Sequence, residues 1–173
     1  WVFSGFFVVW LEWGNIGHTL LWLPLILLAI DKIIDRQSWL WPPILIIALS
    51  SQFFAGHLQI AFYVLSAAAI YTIWRLIQAQ NKSKLILLFT MCYILFAIIT
   101  AIQWLPTLQL IKLSARDIDQ SQTLTRPNWF LPWQNLVQFI APDFFGNPTT
   151  LNYFGGWNYA EFVGYIGIIS LIL

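Results

Sequence analysis

Gly56-His57-Leu58-Gln59 carries an imidazole and a carboxamide at a sharp turn between two long apolar runs, residues 39–55 and 60–74. At a bilayer edge His57 and Gln59 could hold a phosphate or a sugar hydroxyl. The same imidazole could instead cap the hairpin by bonding to free backbone carbonyls. His18 offers a weaker version of the same choice. The carboxylates are the second resource. Glu12, Asp117, Asp119, Asp143 and Glu161 lie apart from Asp31 and Asp35 along the chain. A carboxylate at a membrane surface can act as general base, metal ligand or acceptor for a sugar hydroxyl; the bland alternative is a solvated loop charge. Glu161 carries more weight because it opens an apolar run, where an ionisable group is costly. Arg116 beside Asp117 could grip an anionic head group through its guanidinium fork, or form a local ion pair or lipid-phosphate anchor.

Other chemistries lack their signatures. There is no His pair at helical spacing and no Cys pair, and Asp117-Ile118-Asp119 is too short and common to define a metal site. A divalent cation as cofactor is left open. The lone Cys92 sits in an apolar run and reads as a small core residue. No Walker loop, Gly-x-Gly-x-x-Gly or Gly-x-Ser-x-Gly is present.

The elements that position these groups follow from composition. Of 173 residues, 60% are hydrophobic and only 9% charged, with a mean hydropathy of +0.74. Soluble chains carry about 25% charged residues. So little polar surface cannot coat a particle in water, and lipid must solvate most of the chain. A net charge of +1 argues against a nucleic-acid partner. Eleven Trp suit the membrane–water interface, where an indole is half apolar and half wet.

In chain order, residues 1–11 read as the tail of a first apolar span, broken by Glu12-Trp13-Gly14-Asn15. Residues 16–34 form a second span that Pro24 can kink; a re-entrant hairpin over 1–34 is the alternative. Trp39-Leu40-Trp41-Pro42-Pro43 opens a third span ending at Ala55, and residues 58–77 form a fourth. Residues 85–105 form a fifth, free of formal charge. Residues 106–160 are a long polar and aromatic segment, with a short interfacial helix expected over 132–140 from the spacing of Trp133, Leu136, Val137 and Ile140. Glu161 begins a sixth span. The expected fold is an all-α polytopic membrane protein of five to six transmembrane helices: a bundle over 1–105, an external loop region over 106–160 with short interfacial helices, and a further helix starting in 161–173.

Lys32, Arg36, Arg75, Lys82 and Lys84 fall in the loops near 31–38 and 75–84. Short basic loops stay cytoplasmic, so these loops are expected inside and residues 106–160 outside. The chain starts at Trp1 within an apolar stretch and stops within another; both ends read as truncations, and no signal peptide is evident.

Several motifs together resemble a known family. They are Ser4-Gly5-Phe6, Trp22-Leu23-Pro24-Leu25 with Asp31-Lys32, and Ala55-Gly56-His57-Leu58-Gln59. Gln103-Trp104-Leu105-Pro106 before Ser114-Ala115-Arg116, Ala141-Pro142-Asp143-Phe144-Phe145-Gly146, and Phe154-Gly155-Gly156 before Glu161-Phe162-Val163-Gly164-Tyr165-Ile166-Gly167 continue the series. In order and spacing they resemble bacterial YfhO-type membrane proteins, which are similar to GT-C glycosyltransferases. The resemblance implies a multi-pass protein of the bacterial cytoplasmic membrane that takes a sugar from a polyprenyl-phosphate carrier and passes it to an external acceptor. It implies a catalytic carboxylate upstream of this stretch; Glu12 lies in a later connection and does not match it. His57, Gln59, Arg116 and Glu161 are expected to shape the carrier groove and hold phosphate or sugar, with Glu12, Asp117 and Asp143 as further binding candidates. The expected partners are membrane lipid and a polyprenyl-phosphate-linked sugar. A transporter or flippase of a lipid-linked or small polar substrate is the alternative, and a non-catalytic assembly subunit a third.

Overall fold

The computed structural model describes residues 4–36, 38–114, 131–156, 158–167 and 172, apart from the side chains of Glu12 and Arg36. The described residues are helical or irregular, with no strand among them. They fall into two compact units: Asn15–Leu110, and Trp1–Gly14 with Ile111–Leu173.

The Asn15–Leu110 unit is a helix bundle. It comprises α2 (Asn15–Leu21), α3 (Leu23–Arg36), α4 (Trp41–Phe54), α5 (Leu58–Gln78) and most of α6 (Lys82–Leu113), numbered after α1 (Gly5–Val9) of the other unit. Ile26, Ala29, Ile30 and Ile33 of α3 repeat at i, i+3, i+4 and i+7 and form one buried stripe. Leu45, Ala48, Leu49 and Phe53 of α4 do the same, and α3 packs on both α4 and α5. Ala48, Ala61 and Ala68 are fully buried. Such small residues let helix backbones approach closely, which matters where lipid removes the hydrophobic drive to associate. On α6, Leu85, Phe89, Cys92 and Phe96 face the core, and Phe96 meets Phe53 edge-on at 5.9 Å.

The opposite faces are equally apolar. Ile102 is 79% exposed, and Ile98 and Leu87 project likewise. A helix apolar all round needs lipid or protein on every side. Asn15–Asp35, Leu58–Gln78 and Lys82–Leu113 are long and apolar enough to cross a membrane. At a helical rise of 1.5 Å per residue, 21 residues reach about 31 Å, matching the roughly 30 Å hydrocarbon core. The apolar α4, with 14 residues, is shorter: Pro42 and Pro43 fix its start and Gly56, at φ +90°, follows its end.

The 16–34 run is one membrane-length apolar stretch, Asn15–Asp35, with a turn at Trp22 that separates α2 from α3; Pro24 lies in the first turn of α3, where its missing N–H costs nothing. Helix α6 continues through Pro106 to Leu113 instead of ending near Leu105. Pro106 leaves the Ile102 carbonyl without its helical N–H, and one residue on the Thr107 hydroxyl donates back to the Gln103 carbonyl at 2.7 Å. Of the run from Glu161, residues 163–167 are irregular, with Gly167 at φ +95°, and residues 168–171 and 173 lie outside the described residues.

Gln52 on α4 is fully buried, and neither end of its amide finds a partner among the described residues. An unsatisfied buried amide costs about 1–3 kcal/mol. Gln52→Leu is therefore expected to raise the thermal midpoint of the detergent-solubilised protein by several degrees. A lowered midpoint would mean that the amide holds a water or ligand.

The second unit contains α1, a 3-10 turn at Trp10–Glu12, 3-10 helices at Trp133–Phe139 and Pro148–Thr150, and the short α7 (Tyr159–Phe162). The Gly5 N–H donates to the Tyr165 carbonyl at 2.6 Å, and the Trp10 indole N–H to the Ala160 carbonyl at 3.1 Å. A Cβ on Gly5 would strike Val163, so only glycine permits this approach. The 132–140 stretch forms a 3-10 helix, whose period of three sets Asn135 beneath Gln138 and Trp133 beside Leu136. The amides are buried and bonded to each other at 2.8 Å, while Trp133, Leu136 and Ile140 are exposed. The apolar side thus faces outward, as an interfacial element requires.

Candidate functional site

The Asp143 carboxylate stands on a turn built from Ala141-Pro142-Asp143-Phe144-Phe145-Gly146. The Phe144 N–H donates to the Ala141 carbonyl at 3.1 Å and the Gly146 N–H to the Asp143 carbonyl at 2.9 Å. Gly146 reverses the chain at φ +79°, a conformation open to glycine at little cost. Asn147 follows as the cap of Pro148–Thr150, its side-chain oxygen accepting from the Thr149 N–H at 2.9 Å. That leaves its amide nitrogen free to donate to Asp143 Oδ1 at 3.0 Å. From α7, the Tyr159 hydroxyl donates to the same oxygen at 2.7 Å. One carboxylate oxygen is thus doubly held, and Oδ2 has no partner among the described residues.

These groups edge a cleft of about 700 Å³ lined also by Trp13, Thr149, Asn158, Gly5, Val163 and Tyr165. Asn158 caps α7 through its side-chain oxygen, which accepts from the Ala160 N–H at 3.1 Å. Its amide nitrogen and the Thr149 hydroxyl have no partner among the described residues, while Trp13 is largely exposed. A fixed carboxylate, an amide and a hydroxyl beside an indole suit a neutral polyhydroxylated ligand: the polar groups take hydroxyls and the ring takes an apolar sugar face. Among the described residues, no Lys, Arg or His lines the cleft.

Tyr159 reports the environment. Burial first, then its hydrogen bond to Asp143 and the charges of Asp143 and Tyr153, push its hydroxyl up to about 12. The ordinary value is about 10. A folded pKa raised in this way contributes stability that is complete below about pH 10 and is lost as pH climbs through about 12. Ultraviolet difference titration is expected to show a late phenolate near that value. Tyr159→Phe deletes it and Asp143→Asn moves it toward the ordinary range.

The other sequence candidates are dispersed. His57 caps α5, with Nδ1 accepting from the Ile60 N–H at 3.3 Å, so it serves an amide rather than the expected carbonyls. Gln59 donates to the Tyr63 hydroxyl at 3.1 Å. His18 is exposed on α2. Glu161 is exposed on α7 and does not line the cleft, although its neighbours Tyr159 and Ala160 do. Glu12 lies in the 3-10 turn with its side chain undescribed, and Arg116, Asp117 and Asp119 lie outside the described residues. Among the described residues, no three His, Cys, Asp or Glu gather as a metal site. Asn147, Asn158 and Tyr159 escaped sequence reasoning. The two Asn caps have a signal in Asn147-Pro148-Thr149 and in Asn158 three residues before Glu161; nothing in the sequence joins Tyr159 to Asp143.

Compared with known proteins, the chain matches no family model, no curated sequence and no solved structure. Its class therefore rests on architecture: a helical protein with, among the described residues, three helices long and apolar enough to cross a membrane and contact its lipid.

Proposed function

We propose that this is a membrane-embedded, GT-C-like glycosyltransferase of the YfhO type, moving a sugar from a polyprenyl-phosphate donor to an acceptor outside the bacterial cytoplasmic membrane. The observation that carries this reading is convergence. Gly5, Pro142, Asp143, Val163 and Tyr165 come from three separate motifs behind the family resemblance, and all line the one cleft. The cleft's chemistry suits a sugar. In this reading the apolar run before Glu12 and α4 are further crossings, giving five, and the segment from the end of α6 to residue 160 lies outside.

The acceptor hydroxyl gives its proton to a carboxylate base while its oxygen attacks the anomeric carbon, and the lipid phosphate departs with the bonding electrons. The resemblance puts that base in an external loop ahead of this stretch. Asp143 Oδ2 accepts a sugar hydroxyl, and Tyr159 and Asn147 fix the carboxylate for that task.

The purified protein in detergent is expected to bind a polyprenyl-phosphate-linked hexose, with Asp143→Asn weakening binding about tenfold or more, the scale of a lost charged hydrogen bond. Sugar-free polyprenyl phosphate should bind both forms alike. Equal hexose binding by the two forms removes the cleft from the reading. Transport of the same lipid-linked substrate is the second reading, favoured by the unpartnered Gln52 amide inside the helix bundle.

A further inference from the structure

The loops after α3 and after α5 meet at one end of the bundle. Arg75 of α5 binds Asp31 at 2.7 Å and Asp35 at 2.6 Å, both on α3. Beside this network lies a separate hollow of about 480 Å³. Its floor is apolar: Ile33 and Leu85 are buried and Leu88 is half-buried. Its rim is polar and cationic, formed by Ser38, Asn81 and Lys84, with Trp39 exposed at the edge. Lys84 has no ion pair or hydrogen bond among the described residues. The acids of this end are already engaged by Arg75, so Lys84 faces the hollow without a competing carboxylate on its lining.

We propose that this hollow binds an anionic glycerophospholipid, its phosphate at Lys84, Asn81 and Ser38 and an acyl chain along Leu85 and Leu88. Charge complementarity selects the head group, and the apolar floor selects a lipid over free phosphate. The position suits the occupant: α6 starts here and runs on as a membrane-length helix, and an exposed Trp39 marks the interface. One lysine near an anionic lipid contributes about fivefold in binding. The site is independent of the sugar cleft and of any transferase activity.

The test reconstitutes the protein in vesicles of phosphatidylcholine with either brominated phosphatidylglycerol or brominated phosphatidylcholine. Subtracting the fluorescence of Trp39→Phe isolates Trp39. Brominated phosphatidylglycerol is expected to quench Trp39 preferentially, and Lys84→Gln to reduce that preference about fivefold. Native mass spectrometry of wild type and Lys84→Gln provides a readout free of the Trp39 substitution: wild type should retain phosphatidylglycerol and the variant should lose it. Leu88→Trp, which fills the hollow, should abolish retention. Equal quenching by the two lipids, retention unchanged in Lys84→Gln, or displacement of the lipid by millimolar inorganic phosphate each overturns the proposal.

Discussion

Gly146→Ala is expected to lower the stability of the cleft unit by about 3 kcal/mol, and to dismantle the Asp143 turn. Two costs combine. A side chain at φ +79° enters the left-handed region, at about 1–2 kcal/mol. The new Cβ would also strike the Asn152 carbonyl oxygen and approach its carbon to 2.7 Å. That backbone cannot swing aside cheaply, because the Asn152 side chain accepts from the Asn147 N–H at 2.9 Å and the Phe154 N–H donates to the Phe145 carbonyl at 2.9 Å. Hydrogen exchange should speed at the Gly146 and Phe154 amides and stay unchanged in α5. Gly156→Ala is the control. Its Cβ would meet nothing within 4 Å, so an effect within about 0.5 kcal/mol is expected.

Arg75→Ala is expected to cost about 2–3 kcal/mol, below the 3–5 kcal/mol of a fully buried pair because water still reaches the acids. Asp31, about a third exposed, loses its partner at a membrane edge, though the Tyr71 hydroxyl still donates to both its oxygens at 2.9 and 3.0 Å. Asp35 is 58% exposed at its side chain, so Asp35→Ala should cost no more than about 1 kcal/mol. The double variant Arg75→Gln, Asp31→Asn removes the stranded charge and should recover part of the loss. Denaturant unfolding in detergent, read by helix signal, measures all three against wild type; equal losses for Arg75→Ala and Asp35→Ala would show that the network does not anchor α3 to α5.

Much of the bundle was legible in the chain. Helix α5 runs from Leu58 to Gln78, one residue beyond the reading, because Gly56 and the Gln78–Lys84 polar stretch bound a continuous apolar run. The 16–34 span is there as Asn15–Asp35, broken at Trp22 two residues before Pro24. One boundary failed: Pro106 looked like a stop and is tolerated inside α6. Near the start of the apolar run after Glu161, a Cβ on Gly164 would strike the Phe139 ring, a packing that residues 161–173 alone do not reveal.

The site was legible only in part. Asp143 was one of five carboxylates among which Glu161 carried more weight, yet it is Asp143 that lines the cleft. His57 stood out for its imidazole and caps a helix. What makes Asp143 more than a solvated charge is Tyr159, sixteen residues later, and such a pairing is tertiary. The cleft's aromatic wall is equally remote: Trp13 lies 130 residues before Asp143, and the contacts of Gly5 and Trp10 with residues 160–165 bring the two segments together.

The most direct measurement follows a radiolabelled sugar on a polyprenyl-phosphate donor in vesicles carrying the full-length protein, for wild type and Asp143→Asn. The account predicts label on an acceptor for wild type, with transfer by Asp143→Asn lowered about tenfold or more, as a lost charged hydrogen bond requires. Label that crosses the bilayer still attached to its lipid, or transfer untouched by Asp143→Asn, would contradict it.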